Sequence, residues 1–274
     1  MEVLQGKINK AVIYSNPGTR ETEAVELPIE APGPGQVLVR IQELMSKINL
    51  CVGYCLLGKE ANCVAAKLSG AFHPGTFQQY LLAASNYVTL IPDDVADDAL
   101  PGLAPIMCAG ITVYTALNNT DLRPGDWVVV SGGGGGLGHL AIQYAKAMGY
   151  LVVALDVGGK ESVCIEAGAD HFVDALSFTK SEELCKKVVC LTGGGARVAL
   201  VCSSSNAAYA QAIYYLDQAG TLVCLGVPEG EPRPIETASV PLLVSRQIQI
   251  IGTAPLIPSY PLIVWWTANT MSRQ

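Results

Sequence analysis

The chain has 274 residues, half of them apolar and 15% charged, which allows two domains and leaves too little polarity for extended disorder. Its net charge of −7 argues against nucleic acid or an anionic membrane as partner, since either is approached through clustered Lys and Arg. A small anionic ligand, which needs only local donors, stays open.

Met1–Lys7 lacks a basic flank followed by an apolar core, so no secretory signal is expected. The longest apolar stretches, Pro258–Trp266 among them, are broken by Pro and Gly and fall short of a membrane span. The expectation is a soluble cytoplasmic protein. Nine cysteines in such a chain read as free thiols or metal ligands rather than disulfides. Cys164, Cys185, Cys190, Cys202 and Cys224 stand singly in apolar segments and are expected to be buried.

The first part reads as strands and turns. Strands are predicted at 11–14, at 36–41 behind the turn Pro32-Gly33-Pro34-Gly35, at 80–83 behind Pro74-Gly75, and at 87–91 before Pro92. From Asp126 the pattern changes to strands alternating with helices. Trp127–Val130 is a strand, a glycine run follows, and then Leu137, Leu140, Ala141, Tyr144, Ala145 and Met148 mark one face of a helix that Gly149 can end. Further strands are predicted at 151–155, 171–174, 197–202, 221–226 and 247–251, with helices at 160–168, 181–191 and 206–218. Short, fully apolar strands separated by helices indicate a parallel sheet covered on both faces, and six of them fit a doubly wound α/β fold.

The glycine run Ser131-Gly132-Gly133-Gly134-Gly135-Gly136-Leu137-Gly138 lies between a strand and an amphipathic helix. One register satisfies G-x-G-x-x-G: Gly133, Gly135 and Gly138. In that register Gly133 allows the strand-to-helix turn, Gly135 lets backbone approach a pyrophosphate, and Gly138 lets the helix pack closely on the strand. The helix N-terminus, with Gly136 and Leu137, adds amide donors and a positive dipole end. Asp156 ends the next strand, 18 residues after Gly138, where a carboxylate accepts from ribose hydroxyls and repels a 2′-phosphate. NAD is therefore favoured over NADP, and Lys160 stands close enough to reach a ribose or phosphate.

Three strings carry a resemblance to a known family. They are Leu68-Ser69-Gly70 with Gly75–Tyr80, Ala104–Tyr114, and Gly136–Tyr150. Together they resemble the zinc-containing alcohol dehydrogenases of the medium-chain dehydrogenase family, particularly the fungal ethanol-type enzymes, over about Cys55 to Gly252. The resemblance implies a GroES-like β-barrel domain over 1–107, here incomplete, a Rossmann NAD-binding domain over 108–254, and a divergent tail over 255–274. It implies an oxidoreductase that passes hydride from an alcohol to NAD, giving an aldehyde or ketone, and it implies homo-oligomers. Zinc held by two Cys and one His would act as Lewis acid on the alkoxide. Carried over by position, Cys108 matches the last catalytic-zinc ligand and Thr112 a position near the nicotinamide. Leu225-Gly226-Val227 matches a loop that passes the nicotinamide ring, while Gly133, Gly135, Gly138, Asp156 and Lys160 match coenzyme positions.

The chain also departs from the family. The Cys-His-x-Asp and Gly-His-Glu segments that supply the other zinc ligands and the proton relay occur nowhere in it. The three histidines, His73, His139 and His171, stand elsewhere. Of the second, structural zinc site, C-x2-C-x2-C-x7-C, Cys55 and Cys63 keep the last spacing, Cys51 is one residue out of step, and no fourth thiol precedes it. A closed zinc site wants four ligands in tetrahedral array. After Gly252 the family continues for several tens of residues that the tail does not match.

Four readings follow: an NAD-dependent zinc-type alcohol dehydrogenase, a catalytically inactive relative that still binds NAD, a zinc-free NADPH-dependent quinone or enone reductase, and a nucleotide-binding sensor or partner protein. Asp156 speaks against the third. The missing catalytic groups separate the first two.

Overall fold

The structure is a computed structural model that describes residues 7–15, 21–40, 48–49, 67–68, 74–85, 88, 91–92, 95–228, 231 and 233–253. The backbone divides into two compact units, with the break between Cys108 and Ala109. Each is described by itself.

In the first unit, β1 (Ile8–Tyr14) pairs antiparallel with β2 (Thr22–Pro28), and β3 (Gln36–Arg40) pairs antiparallel with β6 (Tyr80–Ala84). Between them lie the two-residue strands β4 (Ile48–Asn49) and β5 (Lys67–Leu68), which pair with each other. The buried Asn9 side chain ties β1 to the approach of β6. Its Nδ2 donates to Gln78 Oε1 at 2.8 Å, and its Oδ1 accepts from the amides of Gln79 and Tyr80 at 3.1 Å. β2 is not anticipated by the sequence, because Glu23 and Glu26 make it read as a polar loop. It forms as an exposed ribbon rather than as half of a core. Most of the predicted strand at 87–91 lies outside the described residues. The unit ends in α1 (Leu100–Pro105) and a π-type turn, Ile106–Gly110, that runs on past its boundary.

The helical run Asp97–Asn118 is long and apolar enough to cross a membrane by length and composition, against the expectation that Pro and Gly would break it. Pro101 sits in the first turn of α1, where its missing amide costs nothing, and the turn widens after Pro105 instead of ending the helix. Half of the apolar window is buried within the protein.

The second unit opens with α2 (Ile111–Asn118) and is built on a six-stranded parallel sheet. Its elements in chain order are β7 (Trp127–Ser131), α3 (Gly136–Ala147), β8 (Leu151–Asp156), α4 (Glu161–Glu166), β9 (His171–Asp174), α5 (Ser181–Leu191), β10 (Ala196–Val201), α6 (Asn206–Tyr215), β11 (Leu216–Cys224), α7 (Val240–Arg246) and β12 (Gln249–Gly252). The spatial order is β12-β11-β10-β7-β8-β9, every neighbouring pair parallel. Numbered within the sheet this is 3-2-1-4-5-6 from the β9 edge, the doubly wound order, and it reverses between β7 and β10. Val128, Val129, Val130, Val152, Val153, Ala154, Ala199, Leu200 and Val201 have no exposed surface to speak of, as a sheet covered on both faces requires.

Two differences from the predicted elements have clear physical causes. The helix expected to run to 218 stops at Tyr215, because Leu216 pairs with Ala196 as the first residue of β11 and Ala219 takes a positive φ of 53°. Helix α7 has no counterpart in the sequence expectations, since Pro241 hides it, yet Pro in the first turn is compatible with a helix.

Candidate functional site

The order reversal between β7 and β10 creates a crevice at the carboxyl ends of the strands, which is where open α/β sheets bind ligands. Three loops meet there, after β7, β10 and β11, and their fit depends on glycine. Gly132 leaves β7 with φ 79°, and a Cβ on it would stand 2.9 Å from the Ser203 amide nitrogen. A Cβ on Gly226 would strike the Ser203 carbonyl oxygen and come within 2.9 Å of the Cys202 carbonyl carbon. The main chains are tied as well. Cys202 N–H donates to Ser131 O at 2.8 Å, and Gly226 N–H donates to Val201 O at 2.8 Å. The Tyr209 hydroxyl donates to Gly226 O. Burial, together with the nearby Cys224 thiol, pushes that hydroxyl up to about 12, so it remains a donor across the working pH range.

The glycine loop is shaped by its own backbone. The amides of Gly132 and Gly133 donate to Leu155 O at 2.8 and 3.1 Å, and Gly135 N–H closes a turn on Gly132 O at 3.1 Å. Gly138 lies against that turn: a Cβ there would collide with the Gly132 carbonyl oxygen and come to 2.7 Å from Gly133 Cα. The close packing expected of Gly138 is thus an approach of helix to loop. The turn itself falls to Gly132, one residue before the Gly133 expected from the register; Gly133 has no positive φ and is hemmed in by Ala154 and Cys164. Gly132 is the residue that the fingerprint reading missed, and five consecutive glycines conceal it. Gly135 is the extended residue before α3, with φ −86° and ψ 176°. The amides of Gly136, Leu137 and Gly138 have no backbone partner outside the helix among the described residues, so the first turn of α3 presents donors.

Asp156 ends β8 half-buried, and Lys160 lies over the loop with its stem where a Gly134 Cβ would be, 2.6 Å from Lys160 Cβ. Asp174, the register partner of Asp156 on β9, adds a second carboxylate at this edge. His139 Nδ1 lies 2.9 Å from Gly135 O, so its tautomer places a proton there. The Leu225-Gly226-Val227 loop follows β11, with Val227 fully outward at 82% exposure. Thr112 is buried on α2, and Cys108 is exposed in the π-type turn.

These residues fit a dinucleotide at the first turn of α3, whose amides are open to a pyrophosphate. Side chains at Gly132 and Gly226 would strike the Ser203 main chain, so glycine is what lets the three loops close on one another. The Ser203 hydroxyl, between the Gly132 and Gly226 loops, is buried with no hydrogen-bond partner among the described residues. Ser203 was not singled out from sequence, where it is one of three serines; Ser205, the last of them, caps α6 by accepting from Ala208 N–H.

Zinc is a different matter. No group of three His, Cys, Asp or Glu that could hold a metal occurs among the described residues. His139 is bonded to its own helix turn, and His171 stacks on Trp127 with ring centroids 5.6 Å apart. Cys51, Cys55, Cys63 and His73 lie outside the described residues. Among the described residues, none joins Cys108 in a Cys2His set. Of the thiols expected to be buried, Cys164 and Cys185 are, Cys202 and Cys224 are half-buried, and Cys190 is exposed. On α5 the buried face runs through Leu184, Cys185 and Val188, and Cys190 points off it.

The zinc-binding dehydrogenase family profile matches residues 136–256. Alcohol dehydrogenase 2 of Emericella nidulans is 37% identical over 311 aligned positions, covering 90% of this chain and 84% of that protein. An alcohol dehydrogenase of Schizosaccharomyces pombe is 42% identical over 178 positions, which cover 65% of this chain and 49% of its own length. The first alignment is longer than the 274-residue chain, so within the aligned stretch the Emericella protein carries at least 37 residues with no counterpart here. The alcohol dehydrogenase of Thermotoga maritima has the same fold, with a TM-score of 0.78 at 18% identity over 98% of this chain and 90% of its own. Other solved neighbours of this fold carry NADH in one case and NADP in another. On the extent of the likeness to the Emericella protein, the chain belongs to the zinc-containing alcohol dehydrogenases of the medium-chain dehydrogenase family.

Proposed function

We propose that this chain binds NAD at the crevice between β7 and β10. The α3 amides and the glycine loop would receive the pyrophosphate, Asp156 the adenosine ribose, and Leu225-Gly226-Val227 with Thr112 the nicotinamide end. The observation that carries the reading is the open first turn of α3 behind the glycine loop, where the Gly136, Leu137 and Gly138 amides have no backbone partner outside the helix among the described residues. Two carboxylates at the ribose end, Asp156 and Asp174, support NAD over NADP, because a 2′-phosphate would meet like charge. That weighs against the NADPH-dependent quinone or enone reductase.

When bound, NAD supplies a hydride acceptor. The protein's part is to orient it, and for alcohol oxidation also to activate the hydroxyl. The relatives named above are alcohol dehydrogenases, so a small alcohol or aldehyde is the proposed substrate class. Zinc-dependent activation of the alcohol is not supported, because the two His-containing strings that would supply its other ligands are absent from the sequence. The reading best supported is therefore an alcohol dehydrogenase relative that retains coenzyme binding, with metal-dependent turnover lost. A cytoplasmic location belongs to the same proposal, supported by the free thiols among the described residues. Homo-oligomer formation is carried with it, and sedimentation velocity checks it.

Titration of the purified chain with NADH, followed by coenzyme fluorescence, is expected to saturate. An assay of NAD reduction with a panel of primary alcohols and added zinc is expected to show no turnover that a chelator abolishes. Chelator-sensitive turnover would restore the full dehydrogenase reading.

A further inference from the structure

Asp156 has a partner that the ribose role does not require. Its Oδ2 accepts from the Gly134 amide at 2.8 Å, 22 residues earlier in the chain, and its Oδ1 accepts from Val157 N–H at 2.7 Å. Gly134 lies between Gly133 and Gly135, at a position the fingerprint leaves free. Its amide is turned toward the end of β8, away from the α3 donors, and the stem of Lys160 fills the space where its side chain would be. The segment between the Gly132 turn and the start of α3 is thus held at both ends by main chain and in the middle by one carboxylate.

We infer that Asp156 is a positioning residue for the glycine loop: it straps Gly134 to the end of β8 and holds the pyrophosphate-binding backbone in shape before any coenzyme arrives. An ionised carboxylate has about four acceptor positions, so two backbone amides leave room for ribose hydroxyls. Coenzyme choice and loop order then reside in one side chain. Replacing Asp156 to admit a 2′-phosphate also releases the loop that receives the pyrophosphate shared by NAD and NADP. Removing this acid is therefore expected to weaken both coenzymes rather than exchange one for the other. The coenzyme half of this inference rests on the proposed NAD reading, whereas the strap does not.

The test uses the full-length chain as wild type, Asp156→Asn and Asp156→Ala. Amide hydrogen exchange at Gly134 is read site by site without coenzyme, and exchange in β10 serves as the control for folding. Asp156→Ala is expected to speed Gly134 exchange by about tenfold while β10 stays protected, and Asp156→Asn, which keeps an acceptor oxygen, is expected to restore most of the protection. Unchanged Gly134 exchange in a folded Asp156→Ala protein would overturn the strap. If Asp156→Ala does not fold, slow Gly134 exchange in wild type and in Asp156→Asn supports the strap, and exchange as fast as at the open Gly136 amide overturns it. NADH and NADPH titrations of the same proteins complete the test. Both are expected to weaken in Asp156→Ala, and a tenfold gain for NADPH would overturn the coupling. A wild type that binds neither coenzyme while Gly134 is protected would sink the NAD reading and leave the strap in place.

Discussion

The two units of this chain use similar strands to different effect. In the second, β7, β8 and β10 are covered on both faces, and side chains such as Val153 and Leu200 are fully buried. In the first, β1 and β2 form a ribbon whose apolar residues remain in view: Ile8 is 50% exposed, Val12 47% and Ile13 43%. The family resemblance places a barrel over the first unit, and the aligned Emericella protein has at least 37 residues that this chain lacks. A sheet covered by helices from its own sequence neighbourhood keeps its core when distant segments change. A barrel strand relies on non-local partners to cover it. The difference teaches that a sheet covered by neighbouring helices hides its apolar side chains locally, whereas the β1–β2 ribbon leaves Ile8, Val12 and Ile13 in view.

The contrast can be broken by paired truncations. Leu200→Ala removes a fully buried side chain and is expected to cost about 3 kcal/mol in denaturant unfolding, whereas Val12→Ala on the exposed ribbon should stay within about 0.5 kcal/mol. Equal losses would mean that the ribbon is packed as well as the sheet. Gly138→Ala tests the loop within the better unit. The added methyl meets the Gly132 carbonyl, which should cost about 2 kcal/mol and strip NADH affinity at least tenfold.

A smaller effect is expected at the lower edge of the sheet. Asp170 accepts from Lys146 Nζ at 2.8 Å and from the Val152 amide at 2.7 Å. Burial opposes its charge, but the Lys146 and Val152 hydrogen bonds and the charges of Lys146 and His171 outweigh it and hold the carboxyl below its ordinary range. A carboxyl depressed in the folded state adds stability above its unfolded pKa of about 3.9, and that stability disappears as pH falls through the lower folded value. Asp170→Asn should therefore cost about 1 kcal/mol near neutrality and flatten the acid limb of the stability curve. An unchanged acid limb would remove Asp170 from the account. The smallest effect is kinetic. Burial pushes the thiols of Cys164 and Cys185 up to about 11 and that of Cys202 up to about 12, so near neutral pH an alkylating reagent should label exposed Cys108 and Cys190 before those three, as peptide mass spectrometry would show.

The second unit was largely legible in the sequence because its signals are local. Apolar runs such as Val128-Val129-Val130, the glycine run and the stripe on α3 each declare an element within a dozen residues, and the alternation of elements implies the parallel sheet. What the sequence hid required a neighbour from far along the chain. Gly132 looks like its four successors until its φ and its approach to Ser203 are known. The second partner of Asp156 is an amide, which leaves no trace in residue type. Cys190 reads as apolar until the buried face of α5 is traced through Leu184 and Val188. In the first unit, β2 was obscured because an exposed ribbon strand carries no apolar period.

The most direct measurement is a fluorescence titration of the metal-free, full-length chain with NADH and, separately, NADPH. The account predicts saturable NADH binding, at least about tenfold tighter than NADPH and unaffected by added zinc or chelator, since the donors proposed to hold the coenzyme are backbone amides and the Asp156 carboxylate. Absence of NADH binding in a folded sample, or a clear preference for NADPH, would contradict it.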